Sequence, residues 1–111
     1  MTAPEIVWKT PWRAIQFDAE IPGVQRQLER EISIKHPLFG KGATAIGRRI
    51  DNDDILVVLD DGSYANVHLV WGTNGSFNGP FPEKYPSWFA YGTLQDFLNA
   101  MEQDAQDYGD A

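Results

Sequence analysis

The sequence predicts an α+β domain in which a mainly antiparallel sheet of three or four strands packs one face against two helices. Three observations indicate this fold class. Two segments carry apolar residues at helical spacing, three apolar runs are separated by short polar turns, and one of those turns contains an Asp-Gly pair. A chain of 111 residues has room for one such domain, which we place over residues 1–111.

Two segments have the apolar periodicity of helices. The first covers residues 22–34 and ends before Pro37, because proline disfavours helical geometry in the residue that precedes it. The second covers residues 93–107, with Thr93 as the expected N-cap and Asp96 at the capping-box position. Their apolar stripes are Val24, Leu28 and Ile32 in the first helix, and Leu94, Phe97, Leu98, Met101 and Ala105 in the second.

Three apolar runs predict consecutive strands over residues 43–50, 55–59 and 64–71. The middle run has no polar alternation, so we expect it to lie inside the sheet and to be covered on both faces. A short strand near residues 88–91 would supply the fourth, and residues 1–11 suit an edge strand or an extended arm. In the third strand, the face expected to meet the core carries Ala65, Val67, Leu69 and Trp71. The residues predicted to be most central to the core are Leu28, Val57, Leu69, Trp71 and Phe97.

Residues 72–92 combine glycine and proline with six aromatic residues. A solvated linker does not hold so many aromatic side chains. We interpret this segment as a packed loop that either covers the sheet or presents an aromatic surface.

Charge is divided unequally along the chain. Residues 1–49 contain eight basic and five acidic residues, whereas residues 50–111 contain eleven acidic residues and a single basic one, Lys84. The formal net charge of -7 argues against independent binding of nucleic acid, because phosphate contacts need clustered Lys and Arg. The acidic half is either a field that attracts a basic partner or a solubilising surface without one.

The composition leaves few groups for catalysis or metal binding. The chain has no cysteine, which excludes disulfides, thiol nucleophiles and thiolate metal sites. His36 and His68 could form an acid/base pair, but neither has a nucleophile beside it in the sequence. The acidic run at residues 51–54 lacks the glycine and glutamate of a calcium loop, so we predict neither metal nor cofactor.

No apolar stretch is long enough to span a bilayer and no secretory signal is recognisable, which predicts a cytoplasmic protein without membrane contacts.

Residues 28–71 resemble a family of small bacterial proteins that has no established activity. The resemblance covers six ordered motifs: Leu28-Glu29, Glu31-Ile32, His36-Pro37-Leu38-x-Gly40, Ala45-Ile46-x-Arg48-Arg49, Asp53-Asp54-Ile55-Leu56 and Val67-His68-Leu69-x-Trp71. It implies kinship and no mechanism. Residues 1–20, residues 72–92 and the acidic terminal helix depart from the family pattern.

As a class, small acidic single-domain bacterial proteins of this kind resemble the immunity proteins that neutralise toxins of contact-dependent growth inhibition. The resemblance implies a non-enzymatic binding module whose partner is a basic protein toxin, in particular a nuclease domain. A structural or regulatory interaction protein with another partner and a small hydrolase or ligand-binding protein are the alternatives. The candidate partner-binding residues are the acidic and aromatic side chains Asp60, Asp61, Tyr85, Trp88, Asp96, Glu102, Asp104 and Asp107.

Overall fold

The computed structural model describes residues 6–15, 20–32, 34–69 and 87–109. Five antiparallel strands form one sheet in which the spatial order of the strands follows the chain. The α+β prediction is confirmed, and the predicted number of three or four strands is corrected to five. The elements in chain order are β1 (Trp12–Ala14), α1 (Glu20–Glu31), β2 (Thr44–Arg49), β3 (Asp54–Val58), β4 (Tyr64–His68), β5 (Trp88–Gly92) and α2 (Leu94–Gly109).

The additional strand is β1, which pairs with β2 at one edge of the sheet. It contains only three residues, too few to show the alternation that identifies a strand in a sequence. The strand expected near residues 88–91 is confirmed as β5, which pairs with β4. The third predicted strand, residues 64–71, extends as β4 to His68, and its last two residues lie outside the described part of the chain.

The ends of the helices follow the expected local signals. α1 ends at Glu31, three residues before the predicted end, and residues 34–40 form turns that lead to β2. At the start of α2, the Thr93 hydroxyl accepts a hydrogen bond from the Asp96 amide at 3.1 Å. The Thr93 amide donates to the Asp96 carboxylate at 3.1 Å, which completes the predicted capping box.

The two helices lie on opposite faces of the sheet, so the prediction that both pack on one face is wrong. Ile55 and Val57 of β3 belong to the apolar cluster that contains Leu28 of α1. Leu56 belongs to a second cluster, which contains Phe97 of α2. Because side chains alternate along a strand, the apolar run at residues 55–58 of β3 needs a cover on each face, and each helix supplies one of them.

Most of the predicted core is confirmed. The side chains of Leu28, Val57, Leu69 and Phe97 are fully buried, at 0% exposure. Trp71 lies outside the described residues. The predicted core face of β4 is confirmed for Ala65, Val67 and Leu69, which pack on the α1 side.

A bulge in β2 determines which of its side chains face α2. Ala45 belongs to the apolar cluster on the α1 side, and the register with β3 shifts between Ala45 and Gly47. Gly47 therefore faces α2, where a Cβ would lie 2.3 Å from the Trp8 ring. Two residues further on, Arg49 also faces α2. The bulge thus brings a cationic side chain to the face that α2 covers.

No helix within the described ranges is both long and apolar enough to cross a membrane.

Candidate functional site

Polar side chains cross the α2 side of the sheet at one of its ends, where β2 and β4 finish and β3 begins. Arg49 is the last residue of β2, Asp54 is the first of β3 and His68 is the last of β4. Antiparallel pairing brings these three positions to the same end of the sheet. We call the group they form the polar strip, and its members are Arg49, Asp51, Asp54, Asn66, His68, Tyr91 and Asp104.

His68 and Asp54 form the centre of the polar strip. They are direct partners across β3 and β4, and the imidazole Nδ1 lies 2.6 Å from the carboxylate Oδ1. The His68 side chain is 46% exposed, whereas that of Asp54 is 19% exposed. With Nδ1 against the carboxylate, the Nε2 atom is the ring nitrogen that remains for a ligand. Asp54 therefore orients a histidine that lines a groove at this end of the sheet.

Asn66 connects this pair to β5. Its side chain is buried, and its amide nitrogen donates to the Asp54 carboxylate at 3.2 Å and to the Tyr91 hydroxyl at 3.1 Å. Burial raises the pKa of Tyr91 to about 12, so its hydroxyl stays protonated at neutral pH. The buried amide nitrogen thus has an acceptor for each of its two hydrogens, which fixes the carboxylate, the amide and the phenol relative to one another.

Arg49 lies between two carboxylates at the β2 side of the strip. Its guanidinium donates to both oxygens of Asp51, at 2.8 and 2.7 Å, and lies 3.3 Å from the Asp104 carboxylate. The hydrogen bond to Asp51 is the main cause of the raised pKa of Arg49 and of the lowered pKa of Asp51. The guanidinium also lies 5.8 Å from the centre of the Trp12 ring. The positive charge of Arg49 is thus compensated within the chain.

Asp104 joins α2 to the first two strands. Its carboxylate accepts a hydrogen bond from the indole nitrogen of the buried Trp12 at 2.8 Å, in addition to its ion pair with Arg49. Asp107, one turn further along α2, shares a shallow groove with Arg49, Asp51 and Asp104. The last turns of α2 therefore supply Asp104 to the polar strip and place the exposed Asp107 beside it.

The predicted partner-binding residues fall at different places on the molecule. Asp60 and Asp61 lie in the turn between β3 and β4, at the end of the sheet where α2 begins. Asp96, in the first turn of α2, lies at the same end of the sheet. Asp104 and Asp107 lie in the last turns of that helix.

The remaining predicted residues are Glu102, Trp88 and Tyr85. Glu102, on the exposed side of α2, pairs with Lys9. Trp88 begins β5 at the end of the sheet that carries the polar strip. Tyr85 lies outside the described residues. The structure therefore does not bring the whole predicted set into one patch.

Several of these acidic residues have partners within the chain. Hydrogen bonds from Thr93 lower the pKa of Asp96, and those from Ser63 lower the pKa of Asp61. The hydrogen bond from Lys9 has the same effect on the pKa of Glu102. Together with Asp104, these residues contribute local structure as well as negative potential.

His36 and His68 do not converge. His36 is 3% exposed, its Nδ1 atom accepts a hydrogen bond from the Leu38 amide at 3.1 Å, and its ring lies beside Trp88. Among the described residues, His36 lies beside Trp88 on the α1 side of the sheet, whereas His68 pairs with Asp54 on the α2 side. The geometry that a two-histidine enzyme needs is therefore not met in that part of the chain. Residues 6–15, 20–32, 34–69 and 87–109 contain no group of three or more His, Asp or Glu side chains that could hold a metal ion.

The chain matches no protein-family model, and no curated protein or solved structure is significantly similar to it. The resemblance of residues 28–71 to a small bacterial family stays a prediction.

Replacing Asp104 with alanine is expected to lower the free energy of unfolding by about 1–3 kcal/mol, because it leaves the buried Trp12 N–H without its acceptor. Asp107→Ala is the matched control on the same helix and is expected to change stability by less than about 0.5 kcal/mol. Urea unfolding followed by tryptophan fluorescence measures both. Equal stabilities of the two variants would show that Asp104 does not attach α2 to the sheet.

Proposed function

We propose that the chain is a non-enzymatic binding module that holds a basic protein. Its partner is a nuclease-type toxin, which the chain neutralises in the cytoplasm as an immunity protein by covering the active site. The kinship with the small bacterial family is part of the same proposal.

The observation that carries the proposal is the negative charge of the second half of the chain. Residues 50–111 carry eleven acidic residues and one basic one. α2 contains no basic residue, and its exposed positions combine carboxylates with side-chain amides. The nearest cation of the polar strip, Arg49, is compensated by two carboxylates. The exposed positions of α2 are Gln95, Asp96, Asn99, Glu102, Gln103, Gln106, Asp107, Tyr108 and Gly109.

A nuclease supplies the complementary surface. Its active site must be basic to hold the phosphates of its substrate, so carboxylates at suitable spacing can occupy the same positions. Opposite charge on the two proteins also accelerates their encounter. The exposed Phe89, at the end of the sheet that carries the polar strip, is an aromatic side chain of the type that anchors many protein interfaces. Trp88 instead packs against the apolar cluster on the α1 side.

Two alternatives have their own support. An acidic surface is equally compatible with a structural or regulatory interaction protein that binds a different basic partner. The His68–Asp54 pair favours a second candidate, a small hydrolase, because a carboxylate that orients a histidine is a common arrangement for a general base. Inhibition of a basic nuclease domain would distinguish an immunity protein from both alternatives.

Co-expression with a basic nuclease domain encoded beside this chain tests the proposal. We expect the chain to protect the cells, to co-purify with the nuclease domain and to block its cleavage of nucleic acid in vitro. A nuclease domain from an unrelated toxin is the control, and it should be neither bound nor inhibited. Unchanged cleavage in the presence of excess chain would contradict the proposal.

A further inference from the structure

We propose that a groove beside His68 receives an arginine side chain of the basic partner. The groove lies at the end of the sheet that carries the polar strip, between β3 and the start of β5. It combines polar groups of the strip with aromatic side chains. We call it the His68 groove, and its lining residues are Asp54, Asn66, His68, Ser87, Trp88 and Phe89.

The polar groups of the groove mainly offer hydrogen-bond acceptors. Each oxygen of the Asp54 carboxylate contacts one protein group, Nδ1 of His68 or the Asn66 amide, and a carboxylate oxygen can accept a second bond. When neutral His68 carries its proton on Nδ1, its Nε2 atom is also an acceptor. Both donor hydrogens of the Asn66 amide are used by Asp54 and Tyr91. The groove therefore suits a ligand rich in N–H donors.

The aromatic wall suits a flat cation. Phe89 faces its cross-strand partner Asn66 and is 53% exposed. Its ring lies 5.0 Å from that of Tyr91 in an edge-to-face arrangement, which leaves much of the Phe89 ring accessible. A guanidinium can lie over an aromatic ring while its N–H groups reach a carboxylate, a combination that the ammonium of lysine matches less well.

Local charge favours a cation over an anion at this position. Asp54 supplies the negative charge, and the pairing of Arg49 with Asp51 and Asp104 limits its ability to attract an anionic ligand. An arginine-rich surface is also what the proposed nuclease partner would present. The inference thus rests on the proposed function and adds where the partner makes contact and by which side chain.

A peptide titration tests the groove without the toxin. The full chain, labelled with ¹⁵N, is titrated at pH 8 with acetyl-Gly-Arg-Gly-amide, and the matched probe is the same peptide with the neutral analogue citrulline. We expect the arginine peptide to shift the resonances of His68 and of residues 87–89, and the citrulline peptide to shift them much less. Equal shifts for both peptides, or binding of the corresponding lysine peptide with equal affinity, would overturn the choice of arginine.

Variants locate the site of binding. Asp54→Asn and Phe89→Ala are each expected to weaken the affinity for the arginine peptide by about fivefold or more. Glu29→Gln removes one negative charge from an exposed position of α1, on the other face of the sheet, and should leave the affinity unchanged. Phe89 is exposed, so its replacement keeps the test valid if Asp54→Asn perturbs folding.

The possible failures of the two proposals are distinguishable. Shifts confined to α2, or an unchanged affinity in the Phe89→Ala variant, would contradict the groove and leave nuclease inhibition to be decided by its own assay. If the chain binds the peptide in the groove but fails to inhibit the nuclease, the proposal of a toxin partner is contradicted. The proposal that the groove binds an arginine of a basic protein then still holds.

Discussion

Replacing Phe97 with alanine is expected to lower the free energy of unfolding by about 3–5 kcal/mol. Phe97 is fully buried, and its ring makes edge-to-face contacts with Trp12 and Tyr91, each at 5.2 Å between ring centres. Its loss removes the central contact between α2 and the sheet. A domain of this size has a total stability of about 5–15 kcal/mol, so the variant is expected to unfold at a much lower urea concentration.

Phe89→Ala is the matched control for this prediction, since it removes the same side chain from an exposed position on the same side of the sheet. We expect it to change the free energy of unfolding by less than about 1 kcal/mol. Urea unfolding curves compare the two variants with the parent. Similar midpoints for Phe97→Ala and Phe89→Ala would contradict the placement of α2.

Leu69→Ala is expected to lower the free energy of unfolding by about 2–5 kcal/mol through the opposite face of the sheet. Leu69 is fully buried in the apolar cluster that contains Leu28 and Val24 of α1. The substitution leaves a cavity between α1 and the strands. Ile34→Ala provides a control with an aliphatic side chain that is 76% exposed, for which we expect less than about 0.5 kcal/mol. A loss of stability equal to that of the control would show that this face is not packed.

Local patterns predicted most of the fold. The capping box at Thr93, the burial of Leu28 and the strands that contain Val57 and Ala65 all follow from periodicity and turn chemistry. The prediction that both helices pack on one face was wrong, although the uninterrupted apolar run at residues 55–59 already implies two covered faces. The three-residue β1 carries too little pattern to be recognised, and its pairing with β2 is a tertiary contact.

Part of the polar strip is also predictable from the sequence. The Asp-Gly turn pairs Val58 with Tyr64, and counting outward along the hairpin places Asp54 opposite His68. Asn66 stands two residues before His68, on the same face of β4. The hairpin register therefore predicts that these polar side chains meet.

The roles of the acidic residues could not be predicted in the same way. Asp104 meets Trp12 across 92 positions of the chain, and Glu102 meets Lys9 across 93. Such contacts depend on how α2 crosses the sheet. A count of charges treats these carboxylates as free surface groups. In the structure, they bind the side chains of Trp12 and Lys9.

The most direct test of the proposed function is the rate of association with the basic nuclease domain at low and at high salt. The variant pair Glu102→Gln and Asp107→Asn removes two negative charges from α2, and the pair Asp60→Asn and Asp61→Asn removes two from the turn between β3 and β4. If the acidic half steers a basic partner, both double variants will associate more slowly than the parent at low salt and depend less on salt. Association rates that equal those of the parent at every salt concentration, for both double variants, would contradict the proposed role of the acidic half.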